Sequence, residues 1–233
     1  MEMKRIKVWD LPTRIVHWAL VAFGVAAVIT GKIGGAAIDW HGRIGLSILG
    51  LIVFRLAWGL VGSTHARFAS FFPTYTSVRS YLRGEWRGTG HNPLGAFSVF
   101  AMLALIVVQF STGLFANDDI AFNGPLFRLV DKDLSDRLTG IHTFSINLLI
   151  AMVVLHIAAI AFYTVVKKDK LVAPMITGWK EVKPGDGESA RGGGLIALLI
   201  ALFIAGAAVY GASGAWIPTA PPVPTTAPPP AVW

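Results

Sequence analysis

The sequence contains no cysteine. That absence excludes disulfides, thiolate-held iron–sulfur clusters and haem attached through a C-x-x-C-H thioether motif. Charge is scarce as well. Asp, Glu, Lys and Arg make up 14% of the 233 residues, against about 25% in an ordinary soluble domain. Carboxylates are the scarcer sign, 13 against 20 Lys and Arg, and the long apolar runs contain none. Proton relays and cation sites inside a membrane are usually built on such carboxylates, so that class is disfavoured from the outset.

What remains is 54% hydrophobic and is arranged in runs of the length that crosses a bilayer, roughly 20 residues each. Five are predicted: Ile15 to Gly31, Trp40 to Gly62, Leu94 to Ala116, Gly140 to Val166, and the Ala-rich Leu195 to Gly211. The fold class is therefore an all-α membrane protein. The first run follows a short basic tail, Met1 to Arg14, as a signal peptide would. It is longer than a cleavable apolar segment and carries Arg14, His17 and Trp18 at its start, so it reads as a retained anchor.

The net charge of +7 is distributed by topology. Basic residues fill the N-terminal tail, the loop from Ser63 to Pro93 (Arg67, Arg79, Arg83, Arg87) and the linker after the fourth span, which opens with Lys167, Lys168 and Lys170. The loop from Asn117 to Thr139 is acidic, with Asp118, Asp119, Asp131, Asp133 and Asp136, and its Phe127 to Val130 stretch suggests a short interfacial turn. The positive-inside rule then puts the N-terminus in the cytoplasm of a bacterial inner-membrane protein. Five spans leave the Pro-rich tail, Pro218 to Pro230, on the periplasmic side, extended or disordered. The basic charge is explained by the membrane, and no nucleic-acid partner is expected. No internal repeat is visible along the chain.

Four histidines lie inside the apolar runs: His17, His41, His142 and His156. Ionisable side chains are costly there, and each is by default a functional candidate. His142 and His156 are 14 residues apart, which is about 21 Å along a helix and about 1400° of rotation, close to whole turns. Both therefore share one helix face at two depths. His17 stands 14 residues before Gly31, the far end of its run, and so matches His156 in depth; His41 opens the second run and matches His142. Two depth-matched imidazole pairs suit two metal centres, such as haems held axially in a bundle core. Singly, a histidine near a helix end serves equally well as a hydrogen-bonded interhelical residue.

Arg55 lies 14 residues beyond His41. An arginine at that depth needs an anion, such as a haem propionate, unless it snorkels to the headgroups. Arg14 and Arg43 are interfacial candidates for the same role. Gly24, Gly42, Gly45 and Gly140 would let a flat macrocycle or another helix come close. His65 and His91, in the basic loop, are expected to face solvent or headgroups.

Several stretches carry a family resemblance. R-I-V-H-W around His17, H-G-R-I-G-L from His41, F-R-L-A-W-G-L-V-G-S-x-H-A-R-F, G-H-N-P-L-G-A, and G-I-H-x-x-x-x-N-L-L-I-A-M-V-V-L-H ending at His156 resemble bacterial cytochrome b561 and the b-type cytochrome subunits of Ni/Fe hydrogenases. The likeness runs from about Val8 to Gly178. It implies a four-helix transmembrane bundle with two b haems, whose ligands fall on His17, His41, His142 and His156. It also implies electron transfer between quinone and a redox partner at the outer face, such as a c-type cytochrome, hydrogenase or dehydrogenase. The domains expected are a diheme bundle over 1–178, a cytoplasmic linker over 179–194, a fifth helix over 195–213 and the tail over 214–233. The fifth span and tail depart from minimal four-helix members and lie outside the core, where they could dock another subunit of a larger complex. The alternatives are a structural docking subunit, or a transporter using its histidines for metal ions or protons.

Overall fold

A computed structural model describes residues 3–184 and 187–218; the tail beyond Pro218 lies outside the described residues. Five helices are long and apolar enough to cross a membrane: α1 (Leu11–Ile33), α2 (Ile38–Val61), α5 (Pro93–Gly113), α6 (Lys132–Val165) and α8 (Leu195–Ala212). Between them stand the short helices α3 (Phe68–Phe71), α4 (Tyr75–Leu82) and α7 (Val172–Thr177), and two strands, β1 (Lys4–Lys7) and β2 (Trp179–Val182). The expected interfacial turn is a 3-10 turn, Phe127–Leu129.

Side-chain caps decide where three of these spans begin. Asp10 accepts from the Thr13 amide at 2.8 Å, Asn92 from Gly95 at 2.7 Å and Asp131 from Leu134 at 2.7 Å. Asp10 and Asn92 precede a proline in the first helical positions, where its missing N–H costs nothing. Gly34 and Gly35, both at positive φ, end α1 and turn the chain straight into α2.

The fourth span starts earlier than hydropathy indicates. α6 begins at Lys132, eight positions before Gly140, because Asp131 caps a polar first stretch that carries Asp133 and Asp136. Lys132 bridges Asp119 and Asp136 there, at 2.6 and 2.5 Å. Asn117, buried, donates to Ser135 Oγ and Asp136 at 2.6 and 2.9 Å, so the acidic loop is pinned across the start of α6.

The segments read as tail and linker also take on structure. β1 and β2 pair antiparallel, Lys4 opposite Val182 and Lys7 opposite Trp179. Ile6, Val8, Trp9 and Val182 form a small apolar cluster beneath them, with Met175 against it. The carbonyl end of α7 takes donors from α1: Arg14 Nη1 to Ile176 O, and Trp18 Nε1 to Met175 O at 3.2 Å. Cations and donors at a helix C-terminus suit both its dipole and its orphan carbonyls.

The fifth helix is part of the core, contrary to the sequence reading. α8 packs along α2, and Ala201 and Ala205 are buried with Val16, Phe54, Ala57 and Trp58. Without a hydrophobic drive in lipid, small residues at every fourth position (Ala197, Ala201, Ala205) let two helices approach closely enough for dispersion to hold them. α1 packs on α2 and α6 on α5, with α2 touching α5. α6 thus rests chiefly on one neighbour, and no residue of its most apolar stretch is buried.

Candidate functional site

Helix periodicity brings His41, near the start of α2, opposite His142 in α6. Their ring centroids are 5.9 Å apart with planes at 86°. A separation of that order would let one metal centre take a nitrogen from each ring, at metal–nitrogen bonds of about 2 Å. Both rings are oriented by backbone: His41 Nδ1 donates to Ala27 O of α1 at 2.9 Å, and His142 Nδ1 to Gln109 O of α5 at 2.8 Å. A ring that spends Nδ1–H on a carbonyl keeps its Nε2 lone pair for a ligand, the arrangement that fixes metal-binding histidines. His142 Nε2 is met here by the Gln109 carboxamide at 3.0 Å, which Ser145 Oγ steadies by donating to Gln109 Oε1 at 2.6 Å. Rotating that flexible side chain releases the lone pair.

The glycines named from the sequence differ from those that face the imidazoles of this pair. A Cβ on Gly24, Gly45 or Gly140 would meet nothing within 4 Å, and one on Gly42 would meet the Phe122 ring. The glycines facing the imidazoles are Gly31 and Gly113, on the neighbouring helices. A Cβ on Gly31 would stand 3.0 Å from His41 Nδ1, and one on Gly113 2.9 Å from His142 Cε1.

At the basic-loop end stand His17 of α1 and His156 of α6. His17 stacks edge-on to Trp18 at 5.0 Å, and its buried Nδ1 has no hydrogen-bond partner among the described residues. Arg55 is buried at 7% exposure, its guanidinium 4.7 Å over the Phe68 ring, with Nη1 buried and unpartnered. Gly59 leaves the room that the Phe68 ring occupies. Arg55 is within electrostatic range of Asp10. Arg14 is committed to Ile176 O through Nη1, leaving a buried Nε unpartnered. Arg43, at the other end, stacks over Trp40 at 5.2 Å. Unpartnered cationic N–H groups at the end of the bundle that carries His17 and His156 are what an anionic, metal-bearing ligand would satisfy, and the residues present fit a haem with its propionates.

Asp10 ties this end together. It caps α1 and accepts from Trp58 Nε1 at 2.9 Å and from Ser63 Oγ. Burial works to raise its carboxyl, but the hydrogen bonds from Ser63, Thr13 and Trp58 prevail and hold it below the usual carboxylate range.

His91 corrects the sequence reading. It is half-buried rather than open: its ring packs between Trp9 and Phe71, with centroids at 4.7 and 4.4 Å, and its Nδ1 is buried with no partner among the described residues. Burial, and secondarily the Arg55 charge, pushes it down to about 3, so it is neutral at physiological pH. The signal was absent locally, because the aromatic walls come from the N-terminal segment and α3. His65 does sit at the surface, bonded through Nε2 to Glu188 O at 2.9 Å.

Comparison with known proteins identifies the family. Residues 8–178 match the pattern of the prokaryotic cytochrome b561 family. The chain is similar to a "Probable Ni/Fe-hydrogenase B-type cytochrome subunit" of Azotobacter chroococcum mcd 1, 25% identical over 221 residues, covering 76% of this chain and 89% of that one. It is also similar to proteins with the same description in Rhizobium leguminosarum bv. viciae, 21% identical with 76% and 90% covered, and in Azotobacter vinelandii, 24% identical with 76% and 89% covered. No solved structure was found to match the chain. With the family pattern spanning four of its five membrane helices, this multi-pass membrane protein belongs to the prokaryotic cytochrome b561 family, whose members carry haem b and transfer electrons in the membrane.

Proposed function

We propose that the chain conducts electrons across the membrane through two haem b groups, one between His41 and His142, the other between His17 and His156. The carrying observation is the first pair: two rings at 5.9 Å, each with Nδ1–H spent on a backbone carbonyl of a neighbouring helix. Bound haem supplies one-electron chemistry that amino-acid side chains do not. His41 and His142 supply neutral nitrogen donors of fixed tautomer. The second pair is supported by the matching depth of the two histidines along their spans and by the unpartnered Nη1 of Arg55, which would pair with a propionate. Arg14 Nε, also unpartnered, is the next candidate, and Arg43 would serve the other site.

The hydrogenase named in the relatives' descriptions suggests the partner, docked at the acidic-loop face next to His41. Quinone would exchange electrons at the basic-loop face, where a cavity of about 310 Å³ opens between α3, α4 and His91. The loop charges support an N-terminus in the cytoplasm and a home in the bacterial inner membrane. The electron-transfer unit would be residues 1–178.

Haem content by pyridine haemochrome, with reduced-minus-oxidised spectra, tests the assignment. Two b haems per chain are expected; His41→Ala and His142→Ala each abolish one, and His17→Ala and His156→Ala the other. A folded preparation without haem, or His41→Ala depleting the same haem as His156→Ala, refutes it.

A further inference from the structure

The His41–His142 pair rests on two copies of one backbone device, in helices that show no repeat by eye. Each copy is a Thr–Gly step: Thr30–Gly31 in α1 and Thr112–Gly113 in α5. Each threonine donates back along its own helix. Thr30 Oγ1 reaches Ala26 O and Ala27 O at 2.7 and 3.2 Å, and Thr112 Oγ1 reaches Val108 O and Gln109 O at 2.7 and 3.1 Å. In each copy the carbonyl four residues before the glycine, Ala27 or Gln109, also takes the Nδ1–H of a histidine from the helix that follows.

The glycine is what makes that reach possible. Helical Cβ atoms tilt towards the N-terminus, so the side chain at i+4 stands over the carbonyl of residue i. At Gly31 a Cβ would come within 3.0 Å of both Cε1 and Nδ1 of His41; at Gly113 it would come within 2.9 Å of Cε1 and 3.1 Å of Nδ1 of His142. Threonine back-bonding to the preceding turn bends a helix slightly, which opens the shared carbonyl towards the incoming ring. His17 has no such arrangement: its Nδ1 is unpartnered.

We infer that Thr30–Gly31 and Thr112–Gly113 are paired positioning residues that lock the His41 and His142 ring planes perpendicular. The inference rests on the haem ligation proposed above for those two histidines. Its consequence is electronic. In a low-spin ferric haem, each axial imidazole raises the iron d orbital that overlaps its π system. Parallel rings raise one orbital and split the pair; perpendicular rings, as at 86° here, raise both alike and leave them nearly degenerate. The orbital moment then survives, and the g tensor becomes strongly anisotropic. The Nδ1–H bonds to carbonyls also increase ligand basicity, which favours the ferric state.

Low-temperature EPR and redox titration of the purified full-length chain test this. The wild type should show a strongly anisotropic low-spin signal that disappears in His41→Ala and His142→Ala. Gly31→Ala and Gly113→Ala should each replace that signal by one of smaller anisotropy and shift the midpoint potential of that haem, leaving the haem of the His17 pair unchanged. Thr112→Val should act in the same direction and carries the test if a glycine variant fails to assemble; Thr112→Ser should match the wild type, as should Gly24→Ala. If the signal and potential survive both glycine variants and Thr112→Val, the inference fails while the haem ligation stands. If no haem signal depends on His41 and His142, the ligation itself fails and the inference with it.

Discussion

Removing the Asp10 carboxylate should destabilise the basic-loop end of the bundle by about 3–5 kcal/mol. Three losses enter. The α1 cap bond to the Thr13 amide goes, at about 1 kcal/mol for a helix N-cap. Trp58 Nε1–H, on a residue only 1% exposed, loses its acceptor, and a buried donor left unpaired costs about 1–3 kcal/mol. Ser63, 3% exposed, loses its acceptor as well, at the lower end of that range because its hydroxyl rotates. Arg55 also loses the carboxylate within its electrostatic range. Asp10→Ala should therefore lower the thermal midpoint in detergent by several degrees, read by tryptophan fluorescence and by size-exclusion of heated samples. Asp10→Asn keeps one oxygen for the cap and should fall between the two. The pH dependence has a definite sign. The folded carboxyl is held low, so its contribution is complete above the usual carboxylate range and is lost as pH falls through the lowered value. The gap between wild type and Asp10→Ala should narrow on acidification. Equal midpoints at neutral pH, or a gap that widens in acid, would refute the reasoning.

Two further outcomes follow from buried positions. Ala201→Leu forces an isobutyl group into the closed α2–α8 contact, where Ala201 is 0% exposed; overpacking costs about 1–3 kcal/mol, and proteolysis of the linker before α8 should accelerate relative to Ile196→Leu at the exposed face. Arg55→Gln removes a buried positive charge at the basic-loop end of the bundle, the end that carries His17 and His156. A nearby cation favours the reduced, more negative haem, so redox titration should show that haem's midpoint potential falling, with the His41–His142 haem scarcely moved.

Much of this architecture is legible in hydropathy alone, because a bilayer makes length and apolarity sufficient signals. The start of α6 escaped it, since Lys132 to Asp136 are polar and helical through their cap and ion pairs rather than their hydropathy. The β1–β2 pairing escaped because two four-residue strands 172 residues apart, Lys7 to Trp179, leave no local periodicity. At the site, spacing alone brought His41 opposite His142. The clearance at Gly31 and Gly113 leaves no signal beside the histidines, because a ring projects away from its own helix and needs room on the next one. His91 was misjudged for a related reason, its aromatic walls being Trp9 and Phe71.

The two-stranded sheet acts as a depth gauge. α1 and α6 each lean mainly on other helices, yet β1 leads into α1 through Val8, Trp9 and Asp10, and β2 follows α6 by way of α7. A slip of one residue in their register would slide the chain by about 3.3 Å and turn Ile6, now wholly enclosed, out to the surface. The buried Ile6 therefore fixes, from beyond the spans, how the start of α1 stands relative to the segment that follows α6.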